Sequence, residues 1–260
     1  MSFALITGAS GGIGLDLARE LAKRKIDLLL IARSEENLSK AKKEIVGSHG
    51  VRVEYFSADL SNSNGVSSVL NWVSKNNFPI SILVNNAGYG IWGKVEDTSW
   101  ADLSNMMNLN MTSVVELCHS LLPELKRHHQ SYILNVASTA SYQAIPTLAT
   151  YAATKSFVLL FTRGLRRELH KTTVSVTCLS PGATSTNFVD RAGMNESLKK
   201  KAEKFSMTSN EVARIAINGM FNKKPEVIPG FMNWFTAQMT YLVPKAITES
   251  IAEGLYKTKG

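Results

Sequence analysis

Only two of the 260 residues are cysteine, Cys118 and Cys178, and each falls inside an apolar run, one helix-like and one strand-like. Two buried free thiols are expected rather than a disulfide, which suits a reducing, cytoplasmic compartment. No apolar stretch reaches the roughly 18 residues that cross a bilayer. Strand-like sequence begins at Phe3 and runs straight into a glycine loop, so no signal peptide is expected either. The five histidines show no metal-ligand spacing. His128-His129 reads as a surface pair at a helix end, and no metal is expected. Linkers, repeats and low-complexity segments are also missing, which leaves one large α/β domain. Acidic residues are the scarcer sign, 21 against 29 basic, for a net charge of +8. The basic residues are scattered. Their densest run, Lys199-Lys200-Lys201 with Lys204, lacks interleaved aromatics and reads as a solvated helix face, not as a nucleic-acid site. A basic surface also suits an anionic cofactor or an acyl-carrier partner.

Strand-like and helix-like segments alternate along the chain. Residues 3–6 form a short apolar strand, followed by Thr7-Gly8-Ala9-Ser10-Gly11-Gly12-Ile13-Gly14 and a helical pattern over 15–25. Strand, glycine turn and helix form the context of a dinucleotide loop, in which phosphate approaches a helix N-terminus. The spacing is Gly-x-x-x-Gly-x-Gly, and alone it is only moderately specific. A second strand over 26–32 ends at Arg33, where an NAD-binding unit of this kind carries an acid for the ribose 2′-hydroxyl. Arg33 suits a 2′-phosphate instead. Further strands are expected over 51–56, ending near Asp59-Leu60, and over 80–84, running into Asn85-Asn86-Ala87-Gly88. Two amides at a strand end are positioned to bond neighbouring backbone and stiffen the floor of a site.

Helices are expected over 35–46, 64–75 and 103–122, the last ending near Pro123. Asn108 and Asn110 lie inside that helix. Asparagine is an indifferent helix former, so a kink or a specific hydrogen bond is expected there. A strand over 132–137 delivers Ser138 to its carboxyl end, and a helix over 151–168 carries Tyr151 and Lys155 four apart, on one face. An ammonium beside a phenol favours the phenolate and lowers its pKa from about 10 towards neutrality. A lone Tyr-x-x-x-Lys also arises by chance in many helices. A sixth strand over 174–179 runs into Ser180-Pro181-Gly182, and a seventh spans 226–229. Such alternation predicts a doubly wound parallel sheet.

Five signals stand in order: Thr7-Gly-x-x-x-Gly12-x-Gly14, Asp59, Asn85-Asn-Ala-Gly88, Ser138 with Tyr151-x-x-x-Lys155, and Pro181-Gly182. Together they resemble the short-chain dehydrogenase/reductase family, strongly over residues 3–190 and weakly beyond. The resemblance implies a Rossmann-type fold with a parallel seven-stranded sheet and reversible carbonyl–alcohol hydride transfer with a nicotinamide cofactor. It implies Tyr151 as general acid/base, Lys155 as its neighbour and ribose ligand, and Ser138 as the donor that orients the substrate oxygen. Asn110, chosen over Asn108 by its Asn-Met-Thr-Ser-Val context, is implied as the residue that holds a relay water. Gly8, Ser10, Gly11, Gly12, Ile13 and Gly14 are implied to cradle the phosphates, Asp59 and Leu60 to meet the adenine, and Asn86, Ala87 and Gly88 to flank the adenosine side. Pro181, Gly182 and Thr184 are implied to grip the carboxamide. Arg33 matches the NADP(H)-preferring branch over the NAD(H) one. The other basic NADP signal is absent, since Gly11 stands in its place.

The substrate is expected to be a hydrophobic ketone, aldehyde or alcohol, since the pocket is expected to be walled by Tyr89, Trp92, Tyr142, Phe188 and Met194. A 3-oxoacyl thioester is one form of it. A non-catalytic NADP-binding regulator or scaffold is the alternative from another class. Residues 183–210 are expected to form a lid with no strand packing in its 184–205 stretch, and residues 230–260 a C-terminal appendage with an apolar helix over 231–243. That helix has three readings: a pocket wall, a subunit contact or a membrane-surface contact. Val114, Leu117, Leu121, Phe157, Leu160 and Phe161 are expected to exceed what one core needs, pointing to a homodimer or homotetramer.

Overall fold

The strand segments of this chain are apolar at consecutive positions, which a strand covered on both faces requires. The computed structural model describes residues 2–185, 192–193 and 206–256. In it Phe3–Thr7 (β1), Asp27–Ala32 (β2), Val53–Ser57 (β3), Ile80–Asn85 (β4), Ser131–Val136 (β5), Val174–Leu179 (β6) and Glu226–Val227 (β7) form one parallel sheet, ordered β3-β2-β1-β4-β5-β6-β7. Successive side chains point to opposite faces. Ala4, Ile6, Leu28 and Leu30 pack on one side, against Leu17 and Leu21 of Gly12–Lys23 (α1), Leu38 of Glu35–His49 (α2) and Ile217 of Ser209–Phe221 (α7). Phe3, Leu5, Leu29 and Ile31 pack on the other. There they meet Val69 of Gly65–Lys75 (α3), Leu117 of Ser113–Leu125 (α5) and Leu165 of Ala149–Glu168 (α6). The expected doubly wound α/β architecture is therefore present. The strand order reverses between β1 and β4, which puts the ligand crevice outside their carboxyl ends.

Five expectations are corrected or extended. The helix over 103–122 is three pieces, Trp100–Met107 (α4), a π turn over Asn108–Thr112, and α5, which runs past Pro123 to Leu125. Pro123, which cannot donate to the His119 carbonyl one turn back, sits in the last turn of α5, where His119 is exposed. Helix α7 was not anticipated, although Thr208 and Glu211 form a reciprocal capping box that marks its start. The 184–205 stretch does contribute a strand: Thr184–Ser185 pairs in parallel with Met207–Thr208. The seventh strand stops at Val227, short of residue 229. Two helices close the chain, Phe231–Leu242 (α8), as expected, and Lys245–Tyr256 (α9), which was not.

The surplus apolar face divides. Val114, Leu117 and Leu121 are buried within the chain, so α5 offers no spare face there. Phe161 packs on the same core, whereas Phe157 and Leu160 of α6 stay exposed. Phe188, Met194, the Lys199–Lys201 run, Lys204 and most of the expected lid lie outside the described residues.

Candidate active site

At the carboxyl end of β1 the chain must turn within a few residues to enter α1. A Cβ on Gly14 would lie 2.3 Å from the Gly8 carbonyl oxygen and 2.4 Å from Asn86 Nδ2, so only glycine fits. Asn86 seals this turn: Nδ2 donates to the carbonyls of Thr7 (3.0 Å) and Gly8 (3.3 Å), while its N–H and that of Ala87 donate to Thr7 Oγ1. Thr7 is thus the hub of the loop, a bonding role that its place in the glycine motif did not announce. Asn85 turns the other way and donates to Asn135 Oδ1 at 2.9 Å beneath the site.

Helix α1 begins after Gly11, which has no side chain to cap it, and its first turn holds no acid. Its leading N–H groups are left for a ligand, and the helix dipole favours an anion there. Arg33, at the end of β2, lies 3.9 Å from Asp59. These groups share one cavity of about 1010 Å³. Gly8, Ser10, Gly11, Gly12, Ile13, Gly14, Arg33, Asp59 and Leu60 line one end of it. Asn86, Ala87, Gly88, Pro181, Gly182 and Thr184 continue the wall to Ser138, Tyr151 and Lys155. The donor set fits a phosphorylated dinucleotide: uncapped N–H groups, a guanidinium and backbone brought close by glycine.

Ser138 leaves β5 in extended conformation and caps a short 3₁₀ turn, Thr139–Tyr142, its Oγ accepting from Ala140 N–H at 3.1 Å. That bond leaves the hydroxyl proton for a partner in the cavity. Tyr151 and Lys155 are both buried on α6, with Lys155 Nζ 5.9 Å from the centroid of the Tyr151 ring. Nζ also donates to Val136 O at 2.9 Å. Burial pulls the Lys155 pKa down to about 8. Asn110 is fully buried in the π turn and does not reach the cavity wall. Its Nδ2 donates to Tyr89 O (2.9 Å) and Thr154 Oγ1 (3.0 Å), and its Oδ1 accepts from Tyr89 N–H. Gly88 sits between the two: a Cβ there would be 3.0 Å from Asn110 Oδ1 and 3.2 Å from Lys155 Nζ.

The substrate end differs from expectation. Tyr142 lines the cavity, but Tyr89 and Trp92 pack instead on the cluster around Leu103, Met106 and Leu148. The wall is completed by Ile145, Leu148 and, from α8, Thr236, Ala237 and Thr240. Those three are small residues on the inner side of an aromatic helix, a signal present in the sequence. The Tyr142 hydroxyl donates to Glu226 Oε1, and burial together with that carboxylate pushes its pKa far above the usual phenol value. Glu226 Oε2 accepts from Arg163 at 2.9 Å, and Arg163 donates to the Tyr241 hydroxyl at 3.2 Å. This chain of contacts ties α8 to α6, β7 and the Ser138 turn.

With this geometry in view, the comparisons with known proteins agree. The short chain dehydrogenase family model matches residues 2–197. The ketoacyl reductase HetN of Nostoc sp. is 29% identical over 241 residues, 92% of this chain and 82% of that protein. A very-long-chain 3-oxoacyl-CoA reductase of Anas platyrhynchos is 30% identical over 238 residues, 90% of this chain and 74% of its own. The solved short-chain dehydrogenase from Sphingobium yanoikuyae, in complex with NADPH, superposes with a TM-score of 0.83 at 28% identity, over 93% of this chain and 94% of that one.

Proposed function

The chain belongs to the short-chain dehydrogenase family, an oxidoreductase family whose fold binds a nicotinamide cofactor, and from that premise we propose an NADP(H)-dependent reductase of hydrophobic ketones or aldehydes. The observation that carries the reading is the convergence of the glycine loop, Arg33, Ser138, Tyr151 and Lys155 on one cavity. When bound, the cofactor supplies the hydride for reduction and accepts it in the reverse direction.

The chain's own residues handle the proton and the charge. The carbonyl oxygen gains negative charge as it is reduced, and Ser138 and Tyr151 are the donors placed to meet it. Tyr151 gives up its proton to complete the alcohol. Lys155 puts a positive charge beside that phenol, and Val136 O fixes its position. Asn110 acts through placement: both N–H groups of its carboxamide are engaged, by Tyr89 O and Thr154 Oγ1, which ties the π turn to α6 beside Lys155. Arg33 is the basis for preferring the 2′-phosphate, which the NADPH-bound relative supports.

An acyl chain fits the apolar part of the wall, and the ketoacyl and very-long-chain 3-oxoacyl-CoA reductases among the relatives make a 3-oxoacyl thioester the leading substrate. Exposed Phe157 and Leu160 support pairing of α6 with a second copy. The buried free thiols fit a reducing, cytoplasmic setting.

The test is NADPH oxidation against a panel of ketones and 3-oxoacyl thioesters, with Tyr151→Phe and Ser138→Ala beside the wild type. Tyr151→Phe should bind NADPH normally and lose at least about 10³-fold in turnover. Ser138→Ala should lower kcat with little change in cofactor affinity. Wild-type turnover by Tyr151→Phe would falsify the assignment of the acid. NADPH binding with no turnover on any substrate would favour the non-catalytic alternative.

A further inference from the structure

Helix α8 contains no charged residue, yet it lies at the surface. Its inner side is committed: Asn233 abuts Gly182, Ala237 and Thr240 are buried, and both line the cavity. Its outer side has nothing over it among the described residues. Phe231 is 73% and Leu242 75% exposed, with Trp234 and Phe235 exposed between them. The Phe231 ring lies 6.0 Å from Trp234 and 6.2 Å from Phe235, so the rings form one patch. Isolated apolar side chains at a surface need no explanation, but a charge-free aromatic stripe does.

The edge of the stripe indicates what covers it. Tyr241 is flanked by two cations: Arg163 donates to its hydroxyl at 3.2 Å, and Lys245 Nζ lies 5.8 Å from its ring centroid. An exposed aromatic and apolar stripe with a tyrosine and cations at one edge is the composition of a helix face that lies in a lipid headgroup layer. Arg163 already holds Glu226, so anionic headgroups would pair with Lys245, and the net charge of +8 adds long-range attraction to such a surface.

We propose that α8 rests on an anionic lipid surface, with its outer side in the headgroup layer and its inner side walling the cavity. The contact is peripheral, since no helix among the described residues is long and apolar enough to cross a membrane. It is read from the outer side of α8 alone and stands whatever the substrate proves to be. It also places the α8 wall of the cavity beside the phase in which a long acyl chain dissolves.

The experiment is flotation of the full chain with vesicles of phosphatidylcholine and phosphatidylglycerol in equal parts, and with phosphatidylcholine alone. The wild type should float with the anionic vesicles and bind pure phosphatidylcholine at least about tenfold more weakly. Phe231→Glu with Leu242→Glu, both outside the cavity, should reduce anionic-vesicle binding at least about tenfold while thermal unfolding stays unchanged. Tryptophan emission should shift to the blue on vesicle addition, and the shift should vanish in Trp234→Phe. Absence of flotation, or flotation unaffected by the double variant, overturns the proposal. Failure to float combined with a halved mass in the double variant also overturns it and assigns the face to a second copy of the chain.

Discussion

Lys155 donates its ammonium to the main-chain carbonyl of Val136 at 2.9 Å, joining the helix that carries Tyr151 to the strand that leads to Ser138. One bond therefore ties the helix that carries Tyr151 to the end of the strand that precedes Ser138. The same placement buries the ammonium.

Burial makes Lys155 costly to the empty fold. Its pKa is pulled from the ordinary 10.5 to about 8, so below pH 8 the folded protein carries the full penalty of a buried charge. Between pH 8 and 10.5 the unfolded chain binds more protons than the folded one, and wild-type stability rises with pH relative to a variant without the amine. Lys155→Met should thus be more stable than wild type at pH 7, by about 1–3 kcal/mol, and the gap should close towards pH 10. Paired urea titrations of the two proteins at pH 7, 8.5 and 10 measure this. A gap that widens with pH would show the sign to be wrong.

Gly88 spaces the site. A methyl group there would press on Asn110 Oδ1 and Lys155 Nζ at once. Gly88→Ala should fold, since flexible Lys155 can yield, but lose about 10²-fold in kcat because reacting groups tolerate little displacement. Steady-state kinetics beside circular dichroism would check it, and near-wild-type kcat would remove Gly88 from the machinery.

Arg33 stands at the expected 2′-phosphate position. Arg33→Asp should weaken NADPH by about tenfold to a hundredfold and improve NADH. Calorimetric titration with each cofactor reads the ratio. A wild type that favours NADH would reverse the assignment.

Glu226 accepts from both Tyr142 and Arg163. Glu226→Gln leaves a partly buried guanidinium without its anion and should cost about 1–3 kcal/mol. Since Arg163 also holds Tyr241 of α8, KM for a long-chain substrate should rise more than KM for a short one. Equal effects on both would mean that α8 does not shape the pocket.

Burial pushes the thiols of Cys118 and Cys178 up to about 12. Both should resist iodoacetamide at pH 8 in the native protein and react after unfolding in guanidinium. Mass spectrometry counts the adducts, and prompt modification of the native chain would contradict their burial.

The sequence by itself determined the sheet, the order of its elements and the cofactor loop. Those features rest on local signals: consecutive apolar residues such as Leu28 to Ile31, and glycines such as Gly14 that nothing larger can replace. It also placed a disturbance at Asn108 and Asn110, because an amide inside a helix announces a partner. Only the tertiary structure decided which partner, the main chain of Tyr89 and the hydroxyl of Thr154, and that the helix answers with a π turn. Tyr89 and Trp92 were misplaced because an aromatic near a site in sequence suits a core as well as a pocket, and packing on Leu103 and Met106 settles it. Glu226 carried no signal, since its role exists only where β7, α6 and α8 meet. Long-range contacts between side chains many residues apart leave no periodicity behind, and they chose the wall of the cavity.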